Sequence, residues 1–404
     1  MSTPSKPLAG IKVLDISRVL AGPWCGQMLA DMGADVIKIE RPGCGDDTRH
    51  WGPPWLSDSA ESAYYLCTNR GKRSVTVDMA KPEGQALIKQ LVAESDVLLE
   101  NFKVGGLKRY GLDYLSLKAL NPKLIYCSIT GFGQESPYAH RAGYDFMIQA
   151  MGGIMSLTGK PDDEPGGGPV KSGVAFTDIF TGLYAANAVL AALYQRRDTG
   201  IGCHIDMALM DVQVGVLANQ ALNYLTSGQV PQRMGNAHPN IVPYQAFTTA
   251  DGHMIVAVGN DDQFRRFCQV LSLPSLAEDA RFATNGARVL HRDQLVPLLE
   301  AALAQRGTDD WLAEFEAVGV PCGPINTLDR VFDDAHVKAR GLKQTLPHAQ
   351  SGHVDLVANP IRMNGESLSA TTAPPTLGEH TDDVLTDIGV TAEQRQALRD
   401  AGII

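Results

Sequence analysis

The stretch Ile11-Lys-Val-Leu-Asp-Ile16, continued by Trp24 to Met32 and by Asp35-Val-Ile-Lys-Ile-Glu40, decides the fold. Its first and last segments are short apolar runs with β-branched residues, the pattern of buried strands. The middle segment reads as a helix introduced by the Gly22-Pro23 break. Working outward, Ser74-Val-Thr-Val-Asp78, Asp96-Val-Leu-Leu-Glu-Asn101, Leu124-Ile-Tyr-Cys-Ser-Ile129 and Cys203-His-Ile-Asp-Met207 read as further strands. Helices stand between them at Pro82 to Ser95, with Pro82 suited to a first turn, and at Leu115 to Asn121. This alternation predicts an α/β fold with a parallel, doubly wound sheet.

The pattern changes after a long apolar helix from about Ile179 to Arg197. One helix is expected over Val212 to Leu225, and near Gly228 the chain turns polar and irregular. Ala246 to Val258 reads as a hairpin about Asp251-Gly252. Helices are expected at Gln263 to Leu271, Gln294 to Gln305 and Asp309 to Ala317, ended by a turn at Pro321-Cys-Gly-Pro324. This is a second, smaller α+β region. An extended stretch to Pro375 and two short helices, Thr381 to Ile388 and Ala392 to Ala401, close the chain.

With 404 residues the chain exceeds one ordinary core, so two domains are expected. A net charge of −10 argues against non-specific nucleic-acid binding, and no nucleic-acid partner is expected. The longest apolar helix contains Thr181, Gly182, Tyr184 and Asn187, so no membrane span is expected. The N-terminus has no secretory apolar region. The seven cysteines are scattered, with no C-x-x-C pair. Reduced thiols in a cytoplasmic protein are the expectation, without disulfides or a zinc site.

Several chemistries drop away. The first strand is followed by Ser17-Arg-Val-Leu-Ala-Gly-Pro23, which lacks the G-x-G-x-x-G dinucleotide fingerprint. No P-loop, H-E-x-x-H or G-x-S-x-G motif is present. His140, His204, His238 and His253 have no metal-ligand spacing, so no metal is expected. What remains is a set of polar and basic residues just after the strands: Arg18, Arg41, Asn101 and Arg109, with Lys72 and Arg73 nearby. Singly these are ordinary surface residues. Along one sheet edge they suit an anionic ligand. Gly105-Gly106 and Gly131-Phe-Gly133 are tight turns or places of close backbone approach.

Asp178 stands in Gly173-Val-Ala-Phe-Thr-Asp178-Ile-Phe-Thr-Gly182, where a loop enters the long helix. It is either an N-cap, accepting from free N–H groups of the first turn, or a reactive carboxylate. Local sequence alone favours the cap.

The chain resembles the family III CoA-transferases, which include formyl-CoA and carnitine CoA-transferases. The resemblance is carried by Leu14 to Pro23, Gly33 to Pro42, Glu100-Asn-Phe102, Gly111-Leu112, Asn121-Pro122, Gly131-Phe-Gly-Gln134, the Asp178 junction and Leu377-Gly-Glu-His-Thr381, in order along nearly the whole chain. It implies a Rossmann-like large domain from residues 1–205 and 340–404 and an inserted small domain, 226–330. Residues 206–225 and 331–339 would be linkers, and two subunits would interlock as a homodimer. It implies Asp178 as nucleophile, Tyr144 near the reacting centre, and CoA contacts at Val19, Arg41, Val77, Asn101 and Arg109. The substrates would be an acyl-CoA and a small carboxylic acid, with no bound cofactor beyond the CoA thioesters themselves. A lysine that meets CoA in formyl-CoA transferase falls about where Ala142 stands here, beside Arg141. The Gly-rich loop that covers that enzyme's site has no counterpart.

Met234 to Phe247 and Gly152 to Gly159 resemble the succinyl-CoA:glutarate and related dicarboxylate enzymes of the family. That implies succinyl-CoA as donor and a short dicarboxylate as acceptor, with Arg233 or His238 facing its distal carboxylate. For His238 the alternative is a loop histidine that fixes the turn before Pro239. The helix start beside Asp178 is expected to keep the carboxylate ionised or to offer N–H groups to a developing oxyanion. Two rivals stand beside this reading. Alpha-methylacyl-CoA racemases are similar at Arg141-Ala-Gly-Tyr-Asp145 but have His in place of Tyr144; Tyr is a poor base near neutral pH, its unperturbed pKa being about 10. A non-catalytic CoA-binding protein is the other, and the intact Asp178 speaks against it.

Overall fold

The structure, a computed structural model, describes residues 6–57, 59 and 61–404. The residues Met1 to Ser5, part of the N-terminus read as lacking a secretory region, lie outside them. Two compact units divide the chain: Met1–Gly153 with Ser172–Ala221 and Ala335–Ile404, and Ile154–Lys171 with Leu222–Asp334.

In the larger unit, chain order runs β1 (Lys12–Asp15), α1 (Ala21–Asp31), β2 (Asp35–Glu40), α2 (Ala63–Leu66), β3 (Lys72–Thr76), α3 (Pro82–Ala93), β4 (Val97–Glu100), α4 (Tyr114–Leu120), β5 (Ile125–Thr130) and α5 (Asp145–Met151). After α6 (Ile154–Leu157), which falls in the smaller unit, follow α7 (Phe176–Thr199), β6 (His204–Ala208) and α8 (Leu209–Gly215). The six strands form one sheet in the order β3-β2-β1-β4-β5-β6, every neighbouring pair parallel.

A parallel sheet needs cover on both faces. Along β1, Val13 enters a core with Cys25, Leu29, Ala185 and Val189 of α1 and α7. Leu14 enters the opposite core with Leu87 and Ile88 of α3 and with Val384 and Leu385 from the C-terminal helix Thr381–Asp387. That helix is tied to β3, where the Thr76 N–H donates to Thr381 Oγ1 at 3.0 Å. α7 has the length and composition of a membrane-crossing helix, but its Gly182, Ala185, Ala186 and Val189 face is buried in this unit.

The smaller unit has an antiparallel sheet of β7 (Tyr244–Thr248), β8 (His253–Ala257) and β9 (Cys322–Pro324), packed by Phe247, Met254, Phe264, Phe267, Leu295 and Phe315.

Several expectations need correction. Residues 154–171 belong with the smaller unit, because Arg233 donates to the carbonyls of Lys160 and Ser156 and pairs with Asp162. Residues 206–208 are no linker but the end of the sixth strand. The single helix expected over 212–225 is two, Leu209–Gly215 and Ala218–Ser227, broken where Ala218 takes φ +45°. Pro321 to Pro324 is not only a turn, since Cys322–Pro324 pairs with β8. The stretch before Pro375 folds into a hairpin, Lys343–His348 with Gly352–Val357. Lys72 and Arg73 open β3, so neither joins the ligand-facing edge. Lys72 is buried against Asp15 at 2.9 Å, and Arg73 pairs with Asp35 at the start of β2.

Candidate active site

The strand order reverses between β1 and β4, and such a switch point opens a crevice beyond the strands' C-terminal ends. The loops after β1 and β4 meet there. The Arg18 N–H donates to Asn101 Oδ1 at 2.9 Å, and Asn101 Nδ2 donates back to the Arg18 carbonyl at 2.6 Å. Both ends of the Asn101 amide therefore hold the loop.

Val19 lies in the left-handed region with φ +72°. For a β-branched residue this is strained, by about 1–3 kcal/mol, and it persists only where the surroundings impose it. Here Asp46 imposes it: both its carboxylate oxygens accept from the Val19 N–H at 3.2 Å. Asp46 in turn pairs with Lys38 at 2.9 Å, both side chains fully buried, and Lys38 donates to the Ser17 carbonyl at 2.9 Å. Burial opposes the Asp46 charge, yet Lys38 overrides it and holds the carboxyl down to about 2. In the neighbouring pair, burial lowers Lys72 to about 8, with Asp15 only partly offsetting it. Gly22 lets α1 start hard against this loop, since a Cβ there would meet Ser17 Oγ at 2.3 Å. A buried ion pair thus shapes the turn that a glycine fingerprint shapes in dinucleotide-binding folds.

Above the loops is a cleft of about 560 Å³. Arg18, Lys103, Arg109 and Arg141 line it, with Asp47 as a carboxylate on the wall, and Arg18 pairs with Asp47 at 3.0 Å. In a chain of net charge −10 this concentrates cations at one place and favours an anionic ligand. Val19, Asn101, Arg109, Tyr144 and Asp178 all line the cleft. Arg41 is exposed beyond β2 and Val77 is 1% exposed within the core; neither is among the lining residues. Tyr144 is 65% exposed and precedes α5. Its approach rests on two glycines that touch: a Cβ on Gly131 would meet Gly143 Cα at 2.6 Å, and one on Gly143 would meet Gly131 Cα at 2.2 Å. The segment bearing Arg141 and Tyr144 therefore crosses directly over the end of β5.

Asp178 proves not to be the cap. α7 begins at Phe176, so Asp178 is its third residue, and the N-cap is Ala175, which has no side-chain oxygen. Asp145 caps the helix from α5 instead. Its Oδ1 accepts from the N–H groups of Thr177 at 2.8 Å and Asp178 at 3.2 Å, and its Oδ2 accepts from Gln149 Nε2 at 2.6 Å. The Phe176 and Ile179 N–H groups donate to the carbonyls of Val174 and Ala175. The first-turn donors expected to serve an oxyanion are thus all engaged. The Asp178 carboxylate accepts no hydrogen bond from the described residues. One turn on, Gly182 lies against α1, where a Cβ would meet the Ala21 carbonyl at 2.7 Å. Positions 178 and 182 share a helix face, which directs Asp178 toward the loop that opens α1. Burial and then the Asp145 charge push Asp178 up to about 7. This reverses the expected help from the helix start, because Asp145 already answers the helix dipole. Tyr64, pushed up to about 12 by burial and the Asp178 charge, stays protonated beside it.

Arg233 and His238 belong to the smaller unit and do not line this cleft. Besides the Arg233 bonds that hold 154–171, His238 Nδ1 accepts from the Asn240 N–H at 3.0 Å, which fixes the turn around Pro239. Sequence reasoning missed Asp145, Lys38 and Asp46. No sequence signal marks Asp145, because the sequence pattern starts the helix at about Ile179 and its true start at Phe176, behind Ala175, appears only in the structure.

The chain matches the model of "CoA-transferase family III" over residues 8–381. It is 52% identical over 392 residues to the succinate–glutarate CoA-transferase of Agrobacterium fabrum, covering 96% of this chain and 97% of that one. It is 45% identical to the mouse succinyl-CoA:glutarate CoA-transferase, over 95% of this chain and 86% of the relative. A crystal structure of a CAIB/BAIF family protein from Brucella suis superposes with a TM-score of 0.84 at 54% identity, covering 95% of this chain and all of the other. A family match over residues 8–381 and relatives this similar along nearly the full length place the chain in CoA-transferase family III: it is a CoA-transferase.

Proposed function

We propose that the chain moves CoA from succinyl-CoA to a short dicarboxylic acid, with glutarate the first candidate. The relatives named above support the acid pair. The observation that carries the chemistry is an Asp178 carboxylate released from helix capping and facing the cleft.

In this reading, an Asp178 oxygen attacks the thioester carbonyl, the C–S bond breaks, and CoA thiolate leaves an aspartyl–succinyl anhydride. The thiolate attacks the aspartyl carbonyl, forming an aspartyl-CoA thioester and releasing succinate. The acceptor carboxylate attacks that thioester, the thiolate leaves again, and its return to the acceptor carbonyl frees Asp178. Every bond broken is matched by one formed and no net proton or electron moves. One hard exchange becomes a series of easier ones. Attack needs the ionised carboxylate. With Asp178 near 7, kcat/KM is expected to rise with pH through neutrality.

Val19, Asn101 and Arg109 are proposed CoA contacts in the cleft. Asn101 would act through its backbone, since its amide holds Arg18. Arg41 and Val77 are proposed contacts on the resemblance, Val77 through its backbone only. Arg233 and His238 are proposed acceptor contacts on the same ground; unchanged acceptor KM values in Arg233→Ala and His238→Ala would remove them. Racemisation is disfavoured by Tyr144 and by the lack of any histidine among the described residues lining the cleft.

The test is exchange of isotopic label between succinyl-CoA and free succinate or glutarate. Wild-type protein should exchange it and Asp178→Ala should not. Exchange of an alpha proton without label transfer would favour racemisation.

A further inference from the structure

A helix start leaves its first N–H groups without partners, and α7 has few local means to supply them. Ala175 has no side-chain oxygen to offer, and the Thr177 hydroxyl is committed to Gln213 Oε1 at 2.6 Å, with Thr177 and Gln213 both fully buried. The remaining carboxylate of the first turn is Asp178 itself. A carboxylate in the first turn is drawn to the free N–H groups of that turn. Were Asp178 to bond them, it would turn from the cleft.

Asp145 removes that option by occupying the Thr177 and Asp178 N–H groups. Its own position is fixed from both sides. Gln149, fully buried, donates to its Oδ2 and accepts from the Ser172 N–H at 2.9 Å on the segment that leads into α7. The Gly131–Gly143 contact sets the start of α5 over β5.

We propose that Asp145 is a positioning residue for the transfer reaction: it caps α7 from outside, so that the Asp178 carboxylate stays uncapped and aimed into the cleft. The proposal rests on Asp178 being the nucleophile. Asp145 also places a negative charge beside Asp178, which keeps the carboxylate basic and raises its affinity for the thioester carbon. Among the described residues, Asp145 from α5 and Tyr64 from α2 couple to the Asp178 charge, and Arg18, Lys103, Arg109, Arg141 and Tyr144 line the same cleft. On the other elements packed against α7, Asp31 of α1 is paired with Arg70, Asp206 of β6 accepts from the Gln134 N–H, and Asp211 of α8 points to solvent.

The experiment measures succinyl-CoA/succinate label exchange from about pH 5 to 9 for wild type, Asp145→Asn, Asp145→Ala and Asp178→Ala. Asp145→Asn retains the oxygen that accepts from Thr177 and Asp178, loses the charge and gives up the Gln149 bond. Its acid limb should move down by about one pH unit, with kcat at high pH within about threefold of wild type. Asp145→Ala should lose about 10- to 100-fold in kcat while KM for succinyl-CoA stays within about twofold. An Asp145→Asn limb at the wild-type pH, or an Asp145→Ala variant with wild-type kcat, would overturn the proposal; if Asp145→Ala fails to fold, the Asp145→Asn profile decides alone. Exchange by Asp178→Ala would sink the nucleophile itself. An inactive Asp178→Ala beside an unshifted Asp145→Asn would sink only the role of Asp145.

Discussion

At Asp178, capping and chemistry ask opposite things of one carboxylate, and the chain assigns them to two residues. Asp145 takes the N–H groups, which leaves Asp178 short of hydrogen bonds, partly buried and next to a like charge. Such a group costs stability when ionised. Because its folded pKa is raised from 3.8 to about 7, its stabilising contribution is present in acid and is lost as pH rises toward 7. Asp178→Asn should therefore match wild type near about pH 4 and exceed it by about 1–3 kcal/mol at pH 8, with water in the cleft reducing the full linkage value. Urea unfolding at the two pH values checks this; a variant equally or less stable at pH 8 would contradict the raised pKa. The sequence pointed to Asp178 through its place before an apolar helix and through the family stretches around it. It did not reveal the helix start two residues earlier, nor the partner 33 residues away, since only tertiary packing brings Asp145 there.

At the scale of elements, the β1–α1 turn bears the most unusual load. Lys38 sits inside Asp35-Val-Ile-Lys-Ile-Glu40, a run whose β-branched apolar residues announce a strand, and the strand is there. The pattern does not announce that the lysine is fully buried and holds Asp46 beneath Val19. Removing one partner of such a pair leaves an uncompensated charge, so Lys38→Met should cost about 3–5 kcal/mol. It should also raise KM for acyl-CoA, because the strained Val19 turn loses its support. Denaturant unfolding and initial-rate kinetics test both; a loss of less than about 1 kcal/mol with unchanged KM would mean the turn holds itself. The sheet was legible because each strand is a short apolar run separated by helical spacing. The role of Lys72 and Arg73 was not, because their direction depends on register: β3 starts at Lys72, which puts both near the wrong end of the sheet.

Across the whole molecule, the chain leaves its larger unit twice, at 154–171 and at 222–334, and returns with the C-terminal segment to complete the cover of β3. The change to polar, irregular sequence after Gly228 marked the second excursion. The first was hidden, since a short glycine-rich segment held by Arg233 and by the Gly235 N–H on the Gly159 carbonyl has no periodicity of its own. We propose that two chains interlock as a homodimer, as the resemblance implies; exposed apolar residues such as Tyr194, at 71%, and Leu225, at 72%, support an uncovered surface. Light scattering should give twice the chain mass of 43.4 kDa, and a monomer mass at all working concentrations would exclude it. The most direct measurement on the central claim is capture of the intermediate. Protein mixed with succinyl-CoA and hydroxylamine, then digested and weighed by mass spectrometry, should carry a hydroxamate on the peptide holding Asp178 and lose exchange activity in step. A hydroxamate on another carboxylate, or full inactivation with Asp178 unmodified, would contradict the account.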